Sequence, residues 1–333
     1  MSINSPIDFV LTWVDGNDEK WKKTKEKYEK LAGIEKNINT EERFRDWDTL
    51  KYWFRAVERY APWVNKIHFV TEGHLPEWLN TNHEKINIVM HKDFIDNSCL
   101  PTFNSSVIMP NLGRILSLSE NFVTFNDDMF LNDFVKDIDF FKNNIPCDTG
   151  IFSPIVPARN TIINVISYDL EIINDYFNSR DILKKSFFKY FNLKYGKHII
   201  KNFCVLPWKN VLGFYDSHIP FSYKKTTFKK IYELESELFK ENDTHRFRTR
   251  SDVNEYIMRY WQLCEGNFEP RSYKFGQYYN INVELDKACR DIKNSKHKVI
   301  CLNDGPTDDF ENQKRKLLET FKQKYPKKSR FEK

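Results

Sequence analysis

Apolar runs that stop at polar clusters organise the first part of this 333-residue chain. Ile7 to Val14 is β-branched and aromatic and ends at Asp15-Gly16-Asn17-Asp18, which predicts a buried strand closed by a turn. Lys66-Ile67-His68-Phe69-Val70 predicts a second strand before Thr71-Glu72-Gly73, and Ile86 to Met90 a third before His91-Lys92-Asp93. Phe122-Val123-Thr124-Phe125 predicts a fourth, ending at Asn126-Asp127-Asp128. Glu19 to Leu31 is charged with a helical pattern, and Asp48 to Tyr60 places Leu50, Trp53, Phe54 and Val57 at helical spacing before Pro62. Ile108 to Leu118 reads as a short helix. The alternation predicts an α/β sheet with substantial parallel pairing. In such sheets the ligand lies beyond the carboxyl ends of the strands, so the polar clusters should converge on one edge.

From Ile162 to Tyr195 the pattern changes to long amphipathic stretches, and further helices are expected over Phe228 to Phe239 and Val253 to Leu263. Val299-Ile300-Cys301-Leu302 reads as a late strand ending in Asn303-Asp304-Gly305, and Glu311 to Tyr325 as a basic final helix. With no repeat, low-complexity linker or clear break, the expectation is a single domain over 1–333. An α/β core over 1–150 and 265–310 would be interrupted by a largely helical insertion over 155–264 and followed by a basic helix and tail over 311–333.

Composition narrows the function. Hydrophobic residues at 40% and charged residues at 30% are an ordinary globular balance, and a net charge of +5 is too mild for a nucleic-acid binder. It suits a phosphate-bearing ligand or a loose association with anionic lipid. Of six scattered cysteines without a CxxC pair, most read as buried small hydrophobes in a reducing compartment. No signal peptide is readable at the N-terminus, and no apolar stretch approaches a membrane span. The expectation is a cytoplasmic protein, peripheral at most; the basic Lys314 to Lys333 end reads first as a solvated helix and second as a tether to a bacterial inner membrane and its assembly machinery.

Adjacent carboxylates at a strand end are a common way to hold a divalent cation beside a phosphate, since hard cations take oxygen ligands. Asp127 and Asp128 offer that arrangement, though a solvated turn is the plainer reading of them alone; Asn303-Asp304 repeats it, with a site and a strand-to-loop turn equally open. His218, in Ser217-His218-Ile219-Pro220, is kept out of a helix by the proline and is a candidate general base. In His245-Arg246-Phe247-Arg248-Thr249-Arg250, alternation would put Arg246, Arg248 and Arg250 on one side of an extended segment, where guanidinium forks match phosphate oxygens. Arg45-Asp46 and Arg114 read as surface residues by themselves.

Taken together, these segments resemble the Stealth family of sugar-phosphate transferases, which includes bacterial capsule phosphotransferases and the animal N-acetylglucosamine-1-phosphotransferase. Four regions match in order. The first is Ile7 to Asp18. The second starts at Arg43-Phe44-Arg45-Asp46, passes Tyr60-Ala61-Pro62-Trp63-Val64, Pro76-Glu77-Trp78-Leu79 and Leu100 to Ser105, and ends at Arg114-Ile115 and Asn126-Asp127-Asp128. The third holds Ser217 to Pro220 and Arg246-Phe247-Arg248 with Asp252, and the fourth is Cys301-Leu302-Asn303-Asp304. Phe134 to Trp208 matches only loosely, which places acceptor specificity there.

The resemblance implies a Rossmann-like core related to nucleotide-sugar (GT-A type) glycosyltransferases. It also implies metal-dependent transfer of a hexose- or N-acetylhexosamine-1-phosphate from a nucleotide-sugar, expected to be a UDP-sugar, to a glycan hydroxyl. Under it, Asp127, Asp128, Asn303 and Asp304 would hold Mg²⁺ or Mn²⁺. Arg248, with Arg45, Arg114 and Arg246, would hold phosphate oxygens. His218 would take the acceptor proton or hydrogen-bond the phosphate. Trp13, Asp15, Gly16 and Asp18 would receive the nucleotide. The rivals are a conventional glycosyltransferase, which releases nucleoside diphosphate, and a non-catalytic glycan-binding scaffold.

Overall fold

A computed structural model describes residues 5–33, 45–159 and 161–333 of the chain. Arg43 and Phe44 of the second matched region lie outside the described residues. Five strands form the main sheet in the spatial order β3 (Ile86–Met90), β2 (Ile67–Thr71), β1 (Ile7–Thr12), β4 (Asn121–Phe125) and β8 (Phe221–Lys224). The first four are parallel and β8 is antiparallel to β4. β1 alternates between two cores: Ile7, Phe9 and Leu11 pack on one face, Val10 on the other. A parallel sheet covered on both faces reads as unbroken apolar runs, which is why β1 to β4 are visible in the sequence.

On one face, α2 (Leu50–Tyr60) lays Trp53 against Phe125 with ring centroids 5.4 Å apart, and α11 (Phe310–Lys324) adds Phe321 stacked on Tyr52. The other face is covered by the helical region, which contains α4 (Ile163–Tyr176), α5 (Ser179–Tyr190), α6 (Ile199–Cys204), α7 (Lys225–Leu234), α8 (Ser236–Asp243) and α9 (Tyr256–Glu265). That region is not helical throughout: β8 arises within it and joins the main sheet. α1 (Glu19–Leu31) and the short α3 (Ser105–Ile108) lie toward the carboxyl edge, and Ile108 to Leu118 forms only the end of α3 and a 3-10 turn over Pro110–Arg114.

Two small sheets complete the fold. In one, β10 (Gly276–Asn280) pairs with β11 (Val299–Asn303), which pairs with β5 (Met129–Leu131), and α10 (Ile281–Asn294) links β10 to β11. In the other, β6 (Phe141–Lys142), β7 (Ile145–Asp148) and β9 (Glu269–Pro270) pair, and the buried Arg259 of α9 forks Asp148 at 2.7 and 3.0 Å. The basic C-terminal end is a folded element. Arg55 forks Glu332 at 2.8 and 2.7 Å, Phe331 is buried, and Lys324 turns inward to the carbonyls of Asn132 and Ile292. Burial there pushes the Lys324 ammonium down to about 8. Lys322, Lys327, Lys328 and Arg330 of the same end stay exposed.

Candidate active site

β1 is followed in the sheet by β2 on one side and β4 on the other, so the chain reverses its winding between β1 and β4. Such a reversal opens a crevice at the carboxyl ends of the two strands. Leu11 pairs with Phe125, so Trp13 to Asp18 and Asn126 to Asp128 leave the sheet side by side. β11 then crosses the crevice, with the Leu302 amide donating to the Asp128 carbonyl at 2.8 Å. A cavity of about 420 Å³ results, lined by Trp13, Arg45, Asp46, Asp127, Asp128 and Asn303-Asp304 among the described residues. The two acidic strand ends thus share one cavity.

β8 supplies the third wall. Because it runs antiparallel, with Phe221 opposite Thr124, the residues just before it emerge at the same edge. One ring nitrogen of His218, a carboxylate oxygen of Asp128 and the Cys301 sulfur lie within 4.8 Å of one another. His218 also lines a second cavity of about 470 Å³ with Tyr215, Tyr273 and Tyr278. The two cavities therefore meet at Asp128 and His218.

His218 is held in the left-handed region, at φ 44°, by the Asp216 carboxylate, which accepts its backbone N–H at 2.7 Å. Non-glycine residues adopt this conformation only when their surroundings impose it. The buried Tyr256 of α9 donates its hydroxyl to Asp216 Oδ2 at 2.7 Å and lies 3.2 Å from His218 Nδ1. Burial, with Asp216 beside it, pushes the phenol well above its ordinary value, so it keeps its proton. Since that proton points to Asp216, Nδ1–H donates to the phenol oxygen and Nε2 is left as the basic nitrogen.

Asp127 keeps open surface, yet it stands in the concave mouth where protein displaces bulk water. That desolvation, with Asp128 and Asp46 nearby, pushes its carboxyl up to about 7. Burial also raises Asp46, so this carboxylate is not the plain surface residue its sequence suggests. Asp128 Oδ2 accepts the Cys301 thiol at 3.2 Å, while Oδ1 is buried without a partner among the described residues. Burial and the Asp128 carboxylate push that thiol well up. Crowded carboxylates, one with an orphaned oxygen, are a donor set that suits a divalent cation. Cys301 is buried, as expected of these thiols, and adds a sulfur to the cluster of Asp128 and His218. Its signal in the sequence was alternation along β11, which puts it on the same strand face as Asn303.

Other expected residues divide. Arg45 binds Asp304 rather than standing apart from it (Nε to Oδ2 2.9 Å, Nη2 to Oδ1 2.8 Å), and its guanidinium covers the Phe310 ring at 4.3 Å. Trp13 lines the cavity and Gly16 is buried, whereas Asp18 caps α1 by accepting from the Trp21 amide at 2.6 Å. Residues 245–250 bend instead of extending, so the arginines do not line up. Arg246 serves the carbonyls of Ser98 and Leu100 and lies over Tyr28; Arg248 reaches Ser105 Oγ at 2.9 Å. Arg114 sits among Asn111, Asp243 and Tyr232 and lines neither cavity. Asp216 and Tyr256, which orient His218, were not singled out from the sequence.

Fold and site define an α/β protein with two cavities meeting at a carboxylate and a histidine. The chain belongs to the Stealth family: conserved region 1 matches residues 5–31, conserved region 2 residues 43–148 and conserved region 4 residues 290–333. It is 51% identical over 328 residues to a capsular polysaccharide phosphotransferase, WcwK, of Streptococcus pneumoniae, covering 98% of each chain. It is 40% identical to the exopolysaccharide phosphotransferase cps2G of Lactiplantibacillus plantarum, over 98% of this chain and 96% of that one. The receptor polysaccharide phosphotransferase WefC of Streptococcus oralis is 37% identical, over 98% and 99%. Among solved structures, the galactosyltransferase LgtC with donor and acceptor sugar analogues aligns over 95% of both chains at 12% identity and a TM-score of 0.40.

Proposed function

We propose that this chain transfers a sugar-1-phosphate from a nucleotide-sugar to a hydroxyl of a glycan acceptor, forming a phosphodiester in surface-polysaccharide synthesis. The observation that carries this reading is the junction of two cavities at Asp128 and His218, in a chain 51% identical over its length to a capsular polysaccharide phosphotransferase. A two-substrate transfer needs such a junction, with the charged donor on one side and the hydroxyl acceptor on the other.

The donor lies in the cavity of Trp13, Arg45 and Asp127, and the acceptor in the tyrosine-rich one. His218 Nε2 takes the proton from the attacking hydroxyl, with Nδ1–H held by Tyr256 and Asp216. The acceptor oxygen bonds to phosphorus, the bond from that phosphorus to the bridging oxygen breaks, and nucleoside monophosphate leaves. Asp304 orients Arg45 toward the donor phosphates. Arg248, which reaches Ser105 Oγ and lines neither cavity, would have to turn toward the donor to hold the transferred phosphate. Asp128 and Asp127 would hold Mg²⁺ or Mn²⁺, with Asn303 beside them; when bound, the cation supplies neutralisation of the diphosphate charge.

Calorimetric titration with UDP-N-acetylhexosamines tests the donor half. Binding should require Mg²⁺ or Mn²⁺ and weaken at least tenfold in Asp128→Asn. Metal-independent binding unaffected by that substitution would overturn the assignment.

A further inference from the structure

One surface of the helical region takes no part in this chemistry. α5, the 3-10 turn Leu193–His198 and α6 leave Phe188 84%, Leu193 90%, Ile200 64% and Phe203 54% exposed. Ring contacts make the patch continuous, since Phe187 stacks on Phe191 at 4.5 Å and Phe191 meets Phe203 at 4.5 Å. Ile200 and Phe203 stand three apart on one face of α6. Contiguous exposed apolar surface on this scale marks an interaction site.

Charge identifies what covers it. Residues 180–209 carry eight basic side chains against one acidic, a net +7, whereas the whole chain nets +5. Lysine is depleted at the cores of protein–protein interfaces. An aromatic and aliphatic patch interspersed with lysines is instead complementary to an anionic bilayer, its apolar side chains entering the acyl boundary and its ammonium groups meeting headgroups.

We propose that this face of α5 and α6 docks the protein, in the plane of the interface, on an anionic membrane. His198, which ends the 3-10 turn, lines the tyrosine-rich cavity, so the docked face adjoins that cavity. On the transfer reading above, and only on it, the contact would deliver a membrane-held acceptor to His218.

Flotation of the full chain with phosphatidylcholine vesicles, with and without phosphatidylglycerol, tests the docking without donor or turnover. Its failure is therefore distinct from failure of the transfer reading. The expected result is co-flotation with the anionic vesicles only, falling at least tenfold when salt is raised until the Debye length is about 3 Å. Phe188→Ser/Leu193→Ser/Ile200→Ser should abolish flotation, and Lys184→Gln/Lys185→Gln/Lys197→Gln should weaken it roughly a hundredfold at low salt. Unchanged circular dichroism and an unchanged thermal melting profile show that each variant folds. Absence of flotation by the wild type, equal flotation with neutral vesicles, or no loss in the serine variant would overturn the proposal. So would self-association through the patch without vesicle binding.

Discussion

Arg45 and Asp304, 259 residues apart, clasp each other through two parallel hydrogen bonds of 2.9 and 2.8 Å, and Arg45 Nη2 also bonds the Gly305 carbonyl at 2.9 Å. The side chains retain 21% and 13% exposure, a setting in which a guanidinium–carboxylate fork fixes geometry better than an open surface pair does. Asp304→Asn should therefore act through Arg45, lowering kcat/KM for the donor by roughly tenfold to a hundredfold, about 1.4–2.7 kcal/mol. The double variant with Arg45→Ala should be no worse than Arg45→Ala alone. Steady-state release of nucleoside monophosphate from the four proteins checks this, and additive losses would mean that the two residues act separately.

Removing the proposed base should separate chemistry from binding. His218→Ala is expected to lower kcat by about 10²–10⁴-fold while donor affinity in calorimetry stays within a few-fold. Tyr256→Phe leaves the imidazole in place but removes the group that fixes its Nδ1–H, and should cost about tenfold with a shifted pH–rate profile. A near-normal kcat for His218→Ala in a folded protein would reassign the proton transfer.

Asp127 stays protonated up to about 7, well above the ordinary carboxylate value near 3.9 expected in the unfolded chain. Its proton favours the folded state, so that contribution is fully present below about pH 4 and is lost as pH rises through about 7. Asp127→Asn should therefore raise the Tm of the metal-free protein by a few degrees at about pH 8 and leave it unchanged near pH 4. A cation competes for the same oxygen, so stabilisation of the wild type by Mn²⁺ should grow between about pH 6 and pH 8 and lose that dependence in the variant. Thermal scans at matched ionic strength measure both effects.

The first strand carries a buried carboxylate far from the site. Asp8 is fully buried and accepts from His68 at 2.9 Å, Asn65 at 2.7 Å and the Ser119 amide at 2.8 Å. Burial alone would raise its pKa, but the bonds from His68, Asn65 and Ser119 outweigh it and hold the carboxyl below the ordinary value. Its contribution is present above the unfolded pKa near 3.9 and is lost as pH falls through the lower folded value. Asp8→Ala leaves three donors unpaired and should destabilise the fold by about 3 kcal/mol in urea unfolding near neutral pH.

Legibility in the sequence follows the range of the interactions. β1 to β4 are legible as apolar runs, and α1 is bounded by its Asp18 cap and matches Glu19–Leu31. β8 is hidden: Phe221-Ser222-Tyr223-Lys224 is four residues inside a helical stretch, and its place depends on pairing with Asn121–Thr124 far back in the chain. That pairing brings His218 to Asp128, so each residue of the junction is recognisable alone while their meeting is not. β10 and α10 lacked a local signal strong enough to single them out. Cys301 passes for one more apolar residue of β11, and Asp46 for a surface charge, because only the closed cavity desolvates them. Local alternation misleads for Arg246 and Arg248, since contacts with Ser98, Leu100 and Ser105 bend the segment.

Cleavage at phosphorus, at the junction of Asp128 and His218, separates sugar-1-phosphate transfer from transfer of the sugar alone. Incubation of the protein with Mg²⁺, a panel of UDP-sugars and a glycan acceptor, followed by nucleotide chromatography and ³¹P NMR, tests it most directly. UMP should be the released nucleotide, with a new phosphodiester resonance in the glycan, both lost in His218→Ala. Release of UDP with phosphorus-free product would contradict it and make the chain a conventional glycosyltransferase.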